Sequence, residues 1–249
     1  MLALLLGAAV LAGVDFARGG VVAPDPPDVG SGEQPSVAPL SPVPTSPSAS
    51  PSPSATESTQ PSVPYSGSGE FDTAGGEGPI VGTGGELYRY RVQVERGIGQ
   101  DVDEFADYVE KTLGDERSWI AGGNVRFQRV SSGSYEFTIY LATPTTTDQL
   151  CAPLDTNGFT SCRQGDNVVI NLARWVLAVP HWDSDLETYR QYVINHEVGH
   201  RLGHQHEKCP GQGQPAPVMQ QQTLQLAGCK GNAWPYIDGR LHRGPVGSY

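Results

Sequence analysis

Apolar residues recur along the chain in two rhythms. From Leu87 to Glu95 (L-Y-R-Y-R-V-Q-V-E) they alternate with period two, which places Tyr88, Tyr90, Val92 and Val94 on one face of a strand. In the next segment the period lengthens. Val102, Phe105, Ala106, Val109 and Leu113 follow helical spacing, with Asp101 as the expected N-cap and Gly114 as the stop. Further strands are expected at Asn124 to Val130 and Tyr135 to Ala142, joined as a hairpin through Ser131-Ser132-Gly133. A fourth is expected at Asn167 to Leu172. A long helix is then predicted from about Leu186 to Leu202, entered through Asp183-Ser184-Asp185. Its positions Leu186, Tyr189, Val193, His196 and His200 form one stripe.

Before these elements the pattern is of another kind. Residues 2–14 are an uninterrupted apolar run ending at Asp15. That is the length of a signal-peptide core, and shorter than the roughly 18 to 20 residues of a spanning helix. Residues 1–22 are read as a signal-like or membrane-anchor segment. From Ala23 to about Glu70 the chain is rich in Pro, Ser, Thr and Ala, with little to bury, so residues 23–70 read as a disordered linker. The folded domain is expected over 71–249.

Charge follows the same division. Of a formal net charge of −11, residues 1–85 carry one basic and eight acidic side chains, leaving 15 basic against 19 acidic for the remainder. The folded part is nearly balanced and offers no basic face, which argues against nucleic acid as a partner.

The chemistry is concentrated in Tyr192 to His206, Y-V-I-N-H-E-V-G-H-R-L-G-H-Q-H. His196 and His200, four residues apart, leave one helix face and can close on one metal ion, with Glu197 beside them. Gly203 can adopt a left-handed conformation that ends the helix and turns the chain back, so that a third histidine, His206, reaches the same ion. His204, four residues after His200, is the rival third ligand if the helix continues. Three neutral imidazoles leave one position of a tetrahedral zinc ion open to water, the pattern of a catalytic site. Glu197 is then the candidate general base. With 6 His and 31 Gly in 249 residues, the full pattern arises by chance with a probability on the order of 10⁻⁵.

At these residues the sequence resembles the metzincin zinc peptidases, whose signature is H-E-x-x-H-x-x-G-x-x-H followed by a methionine-containing turn. Met219, in P-A-P-V-M, falls where the resemblance implies that turn, as an apolar floor under the imidazoles. The wider stretch H-E-V-G-H-R-L-G-H-Q-H-E-K-C-P-G, followed by P-A-P-V-M-Q-Q-Q-T, also resembles an uncharacterised actinobacterial family of secreted, predicted metzincin-like domains. The resemblance implies an α+β fold, a twisted mixed sheet packed on two main helices, with a cleft between a sheet edge and the Met-turn. Tyr236 is a candidate oxyanion donor. His181 and His242 lack ligand-like neighbours, and Trp175, Trp182 and Trp234 read as packing residues.

Four cysteines permit three pairings. Cys151 with Cys162 and Cys209 with Cys229 is favoured, because each closes a short local loop. Bridges suit an oxidising, extracytoplasmic compartment. The function expected is that of a secreted or membrane-tethered zinc endopeptidase acting on peptide or protein substrates. Two alternatives share the residues: a catalytically inactive, zinc-stabilised cell-surface binding module, and a zinc amidase acting on cell-wall material. The presence of Glu197 favours an enzyme.

Overall fold

The strand from which the sheet grows is β2, Glu86–Glu95, long enough to carry neighbours in series. The computed structural model describes residues 61–249. The expected apolar segment at 2–14 and residues 23–60 of the expected linker lie outside the described residues. On one edge of β2 lie β1 (Phe71–Thr73), antiparallel to its C-terminal end, and β3 (Val125–Arg129), parallel to its N-terminal half. On the other edge follow β4 (Phe137–Ala142) and β6 (Asn167–Asn171), both parallel, and then β5 (Cys162–Gln164), antiparallel and last in the order.

This pairing corrects the expected hairpin. β3 and β4 bond not to each other but to opposite edges of β2, and Tyr90 is opposite both Arg129 and Phe137. β4 therefore begins where β3 ends, and the Ser131-Ser132-Gly133 loop crosses a face of β2, with Tyr135 laid on the Arg91 guanidinium at 4.2 Å. The burial of β4 gives the reason. Phe137, Thr138, Ile139, Leu141 and Ala142 are all buried, as in an inner parallel strand covered on both faces rather than a half-exposed hairpin arm.

Tyr90, Val92 and Val94 turn to a core shared with α1 (Val102–Leu113), α3 (Leu172–Leu177) and α4 (Leu186–Arg201). The two long helices, α1 and α4, are those the sequence pattern predicts. Asp101 caps α1 by accepting from the Asp103 and Glu104 amides at 2.9 Å, and Asp185 caps α4 through the Thr188 amide at 2.6 Å. Such caps contribute about 1 kcal/mol each. On the opposite face the short α2 (Pro144–Cys151) packs with Tyr140 and Val169.

Glu95, at the end of β2, substitutes for the missing cap of α2. Its carboxylate is 1% exposed and accepts from the Thr143 amide, the Thr143 and Thr146 hydroxyls and the Gly69 amide at 2.7–2.9 Å. Burial pushes its pKa up, but these bonds hold the carboxyl below its ordinary value. Tyr65 gives its carbonyl to the Thr145 amide, so the chain is engaged several residues before the expected boundary at Phe71.

Both disulfides form in the favoured pairing, Cys151–Cys162 and Cys209–Cys229. They are consistent with an extracytoplasmic location. Among the described residues no helix is long and apolar enough to cross a membrane.

Candidate metal centre and cleft

Helix α4 is buried nearly all round from Tyr192 to Gly199, so the polar side chains there sit inside the protein. His196 is 5% and Glu197 6% exposed. The helix stops as Gly203 predicts. Its φ is +91°, the Gly203 amide donates to the His200 carbonyl at 3.1 Å, and the His204 amide donates to Gly199 at 3.0 Å. These are the two bonds of a Schellman turn. The reversal brings His206 back, and its Nε2 lies 3.0 Å from Nε2 of His200.

One ligand atom from each of His196, His200 and His206 lies within 4.8 Å of the others, a group able to hold a metal ion. Each ring commits Nδ1 elsewhere: His196 to the Val218 carbonyl at 2.8 Å, His200 to the His204 carbonyl at 2.9 Å, His206 to the Ser248 hydroxyl at 3.1 Å. Carbonyls only accept, so Nδ1 of His196 and His200 donates and their Nε2 lone pairs are free to ligate; the Ser248 hydroxyl can accept from Nδ1 of His206 and leave its Nε2 free in the same way. Burial also depresses all three pKa values, His200 to about 4, so the rings are neutral at pH 7. The donor set fits a metal. His204 is not part of it: its ring stacks on Trp119, centroids 4.2 Å apart.

Glu197 faces the same cleft, and burial pushes its pKa up to about 8, opposed only by the Arg163 guanidinium. Met219 is 2% exposed, in a turn closed by the Gln220 amide on the Pro217 carbonyl. A Cβ on Gly199 would stand 2.4 Å from its Sδ and 2.6 Å from Trp119, so only glycine allows the turn to lie against the helix there. The Trp119 indole donates to the Asn195 carbonyl at 2.9 Å. The turn thus touches the helix beside His200 and supplies, at Val218, the acceptor that orients His196.

The cleft has a volume of 370 Å³. One wall is the disulfide-closed loop from Leu154 to Cys162 with Arg163 of β5; the other is Gln221, Thr223 and Leu224 after Met219; the floor is α4. Arg163 also donates twice to the His200 carbonyl, at 3.0 and 3.3 Å, tying the sheet edge to the end of the helix. Tyr236 is not brought to the cleft. Its hydroxyl lies against Gly122 and its amide bonds to Arg117, because β7 (Tyr236–Ile237) and β8 (Arg240–Leu241) form a separate ribbon. His181 and His242 bond to the carbonyls of Gln222 and Pro215, bracing the loop that holds Met219.

Three contributors have no sequence signal. Arg163 sits in a three-residue strand, too short for a period. Glu207, 2% exposed, accepts from Arg243 at 2.9 Å and the Gly244 amide at 2.8 Å. Ser248 reaches His206 from 42 residues away. Only tertiary structure brings them together.

The chain belongs to the family described as a protein of unknown function (DUF3152), which matches residues 58–234. The match takes in the sheet, the long helices, all three histidines and Met219, and stops before the last fifteen residues. No curated protein and no solved structure matches the chain.

Proposed function

We propose that this member of the DUF3152 family is a zinc-dependent endopeptidase of the metzincin type, secreted or held at the membrane by its N-terminal segment. The observation that carries the proposal is the convergence of three imidazoles, each held at Nδ1, beside a buried carboxyl group in an open cleft. Zinc held there would supply a Lewis acid that acidifies a bound water and polarises a carbonyl.

The residues do the rest. His196, His200 and His206 are kept neutral by burial and oriented by their Nδ1 partners. The Glu197 carboxylate accepts the water's proton and passes it to the departing amine. A carboxyl made more basic by burial is suited to that transfer near neutral pH, and a neighbouring dication restores its ionised form. Among the described residues β5 bonds to β6 on one side only, which leaves its other edge for an extended peptide main chain. That edge favours a peptide substrate over other amides.

The test is hydrolysis of a quenched-fluorescence peptide library by the zinc-loaded protein and by Glu197→Gln. The substitution should retain the metal and lower the rate by on the order of 10²–10⁴. An unchanged rate would remove Glu197 from the role of base. Failure of the wild type to cleave any peptide, with zinc bound, would return the cell-wall amidase and binding-module readings.

A further inference from the structure

The three ring nitrogens that point away from the cleft are not held alike. His196 and His200 rest on main-chain carbonyls, Val218 in the buried turn and His204 in the helix cap. The Nδ1 of His206 rests on a single exposed hydroxyl, that of Ser248. His206 is also the one ligand outside the helix.

What presents Ser248 is a strap, residues 243–249, laid antiparallel along 206–209. The Gly247 amide donates to the His206 carbonyl at 2.9 Å, the Lys208 amide to the Pro245 carbonyl at 2.8 Å, and Glu207 and Val246 stand opposite each other as a bridge. The buried Glu207 carboxylate fixes the start of the strap through Arg243 and the Gly244 amide. At its end the Tyr249 hydroxyl accepts from the Cys209 amide at 2.9 Å, and the Tyr249 amide donates to Gln221 of the cleft wall at 3.3 Å. The backbones touch: a Cβ on Gly244 would stand 2.0 Å from the Lys208 carbonyl oxygen. Main-chain bonds thereby place one hydroxyl behind one imidazole.

We propose that residues 243–249 are a positioning strap for the third metal ligand, with Ser248 the residue that fixes the ring of His206. The inference rests on the metal-site reading above. His196 and His200 form a preorganised pair on a rigid helix, and the strap decides how tightly the third ligand closes the site. A hydrogen-bond partner at the distal ring nitrogen sets the ring direction, and its removal weakens metal affinity by about 10- to 100-fold.

The test measures zinc affinity by competition with a chromophoric chelator, on the full chain, for wild type, Ser248→Ala and Ser248→Thr. Thermal unfolding of the metal-free proteins and the visible spectrum of the cobalt-substituted proteins are followed in parallel. Ser248→Ala should bind zinc about 10- to 100-fold more weakly with an unchanged metal-free unfolding midpoint and an altered cobalt spectrum. Ser248→Thr, which keeps the hydroxyl, should recover wild-type affinity. Gly244→Val, which pushes the strap off Lys208, should weaken zinc as Ser248→Ala does. A wild type that binds zinc tightly while Ser248→Ala binds it equally well overturns the strap inference alone. A wild type that binds no zinc overturns the metal site and the strap with it.

Discussion

The two stretches that meet at the histidines are built by different means. From Phe71 to Leu202 backbone groups satisfy one another, in strand ladders and in α1 and α4. From Gly203 onward the only regular structure is a two-stranded ribbon of two residues each, yet 216–223 is almost wholly buried. Many of its peptide groups are paired with side chains. The Tyr192 hydroxyl donates to the Gln220 carbonyl and accepts from the Gln222 amide, Asn232 donates to Ala216, Gln222 to Pro217 and Asn232, and His181 and His242 to Gln222 and Pro215. A buried loop must pair its backbone somewhere, and here particular side chains supply many of the partners, beside a few loop bonds such as the Ala216 amide to the Lys230 carbonyl and the Gln220 amide to the Pro217 carbonyl. The metal ligands straddle the seam, two from the regular stretch and one from the loops.

If the loops depend on individual tethers, removing them should do more harm than equal changes elsewhere. The largest effect is expected for Cys209→Ser with Cys229→Ser. Loss of this bridge should cost about 3 kcal/mol in denaturant unfolding and weaken metal retention, whereas Cys151→Ser with Cys162→Ser should cost a similar amount while sparing the Met219 turn. Equal metal retention in both pairs would erase the contrast.

Next comes Tyr192→Phe. It removes a buried hydroxyl that donates to the Gln220 carbonyl and accepts from the Gln222 and Thr223 amides, and should cost about 2 kcal/mol. Tyr108→Phe removes a hydroxyl bonded to the Glu187 carbonyl near the surface and should cost well under half of that. The pair, measured by urea unfolding, isolates burial from chemistry.

A smaller effect concerns pH. In the metal-free protein Glu197 has its pKa raised to about 8, so its contribution is full in acid and is lost as pH rises toward that value. The three histidines have lowered values, so theirs is lost as pH falls below the ordinary histidine range. Between about pH 6.5 and 8 the slope therefore belongs to Glu197. Metal-free wild type should lose up to about 1.4 kcal/mol per pH unit in that window, and Glu197→Gln should flatten the curve. An equally steep decline in Glu197→Gln would place the titrating group elsewhere. The smallest effect is expected at the edge of the regular stretch, where Asp101→Ala should remove only the α1 cap, about 1 kcal/mol, with no change in metal affinity.

The same division explains what the sequence made legible. β2, α1 and α4 repeat a period long enough to read, and Asp101, Asp185 and Gly203 mark their ends by local chemistry. The histidine set was readable because helix geometry and one glycine turn connect all three ligands within eleven residues. The hairpin expected at Ser131-Ser132-Gly133 failed because a turn signal does not say which edge of a third strand each arm will join. β1, β5 and α3 are too short to show a period. Tyr236 follows Met219 along the chain, but the ribbon carries it away from the cleft. Arg163, Glu207 and Ser248 act across tertiary contacts that leave no local pattern.

The central claim is that His196, His200 and His206 form one metal site, and its most direct test is the zinc content of the purified chain after dialysis, by elemental analysis. The account predicts about one zinc per chain, and none in His200→Ala. A wild type that holds no zinc after loading, or a His200→Ala protein that keeps a full equivalent, would contradict it.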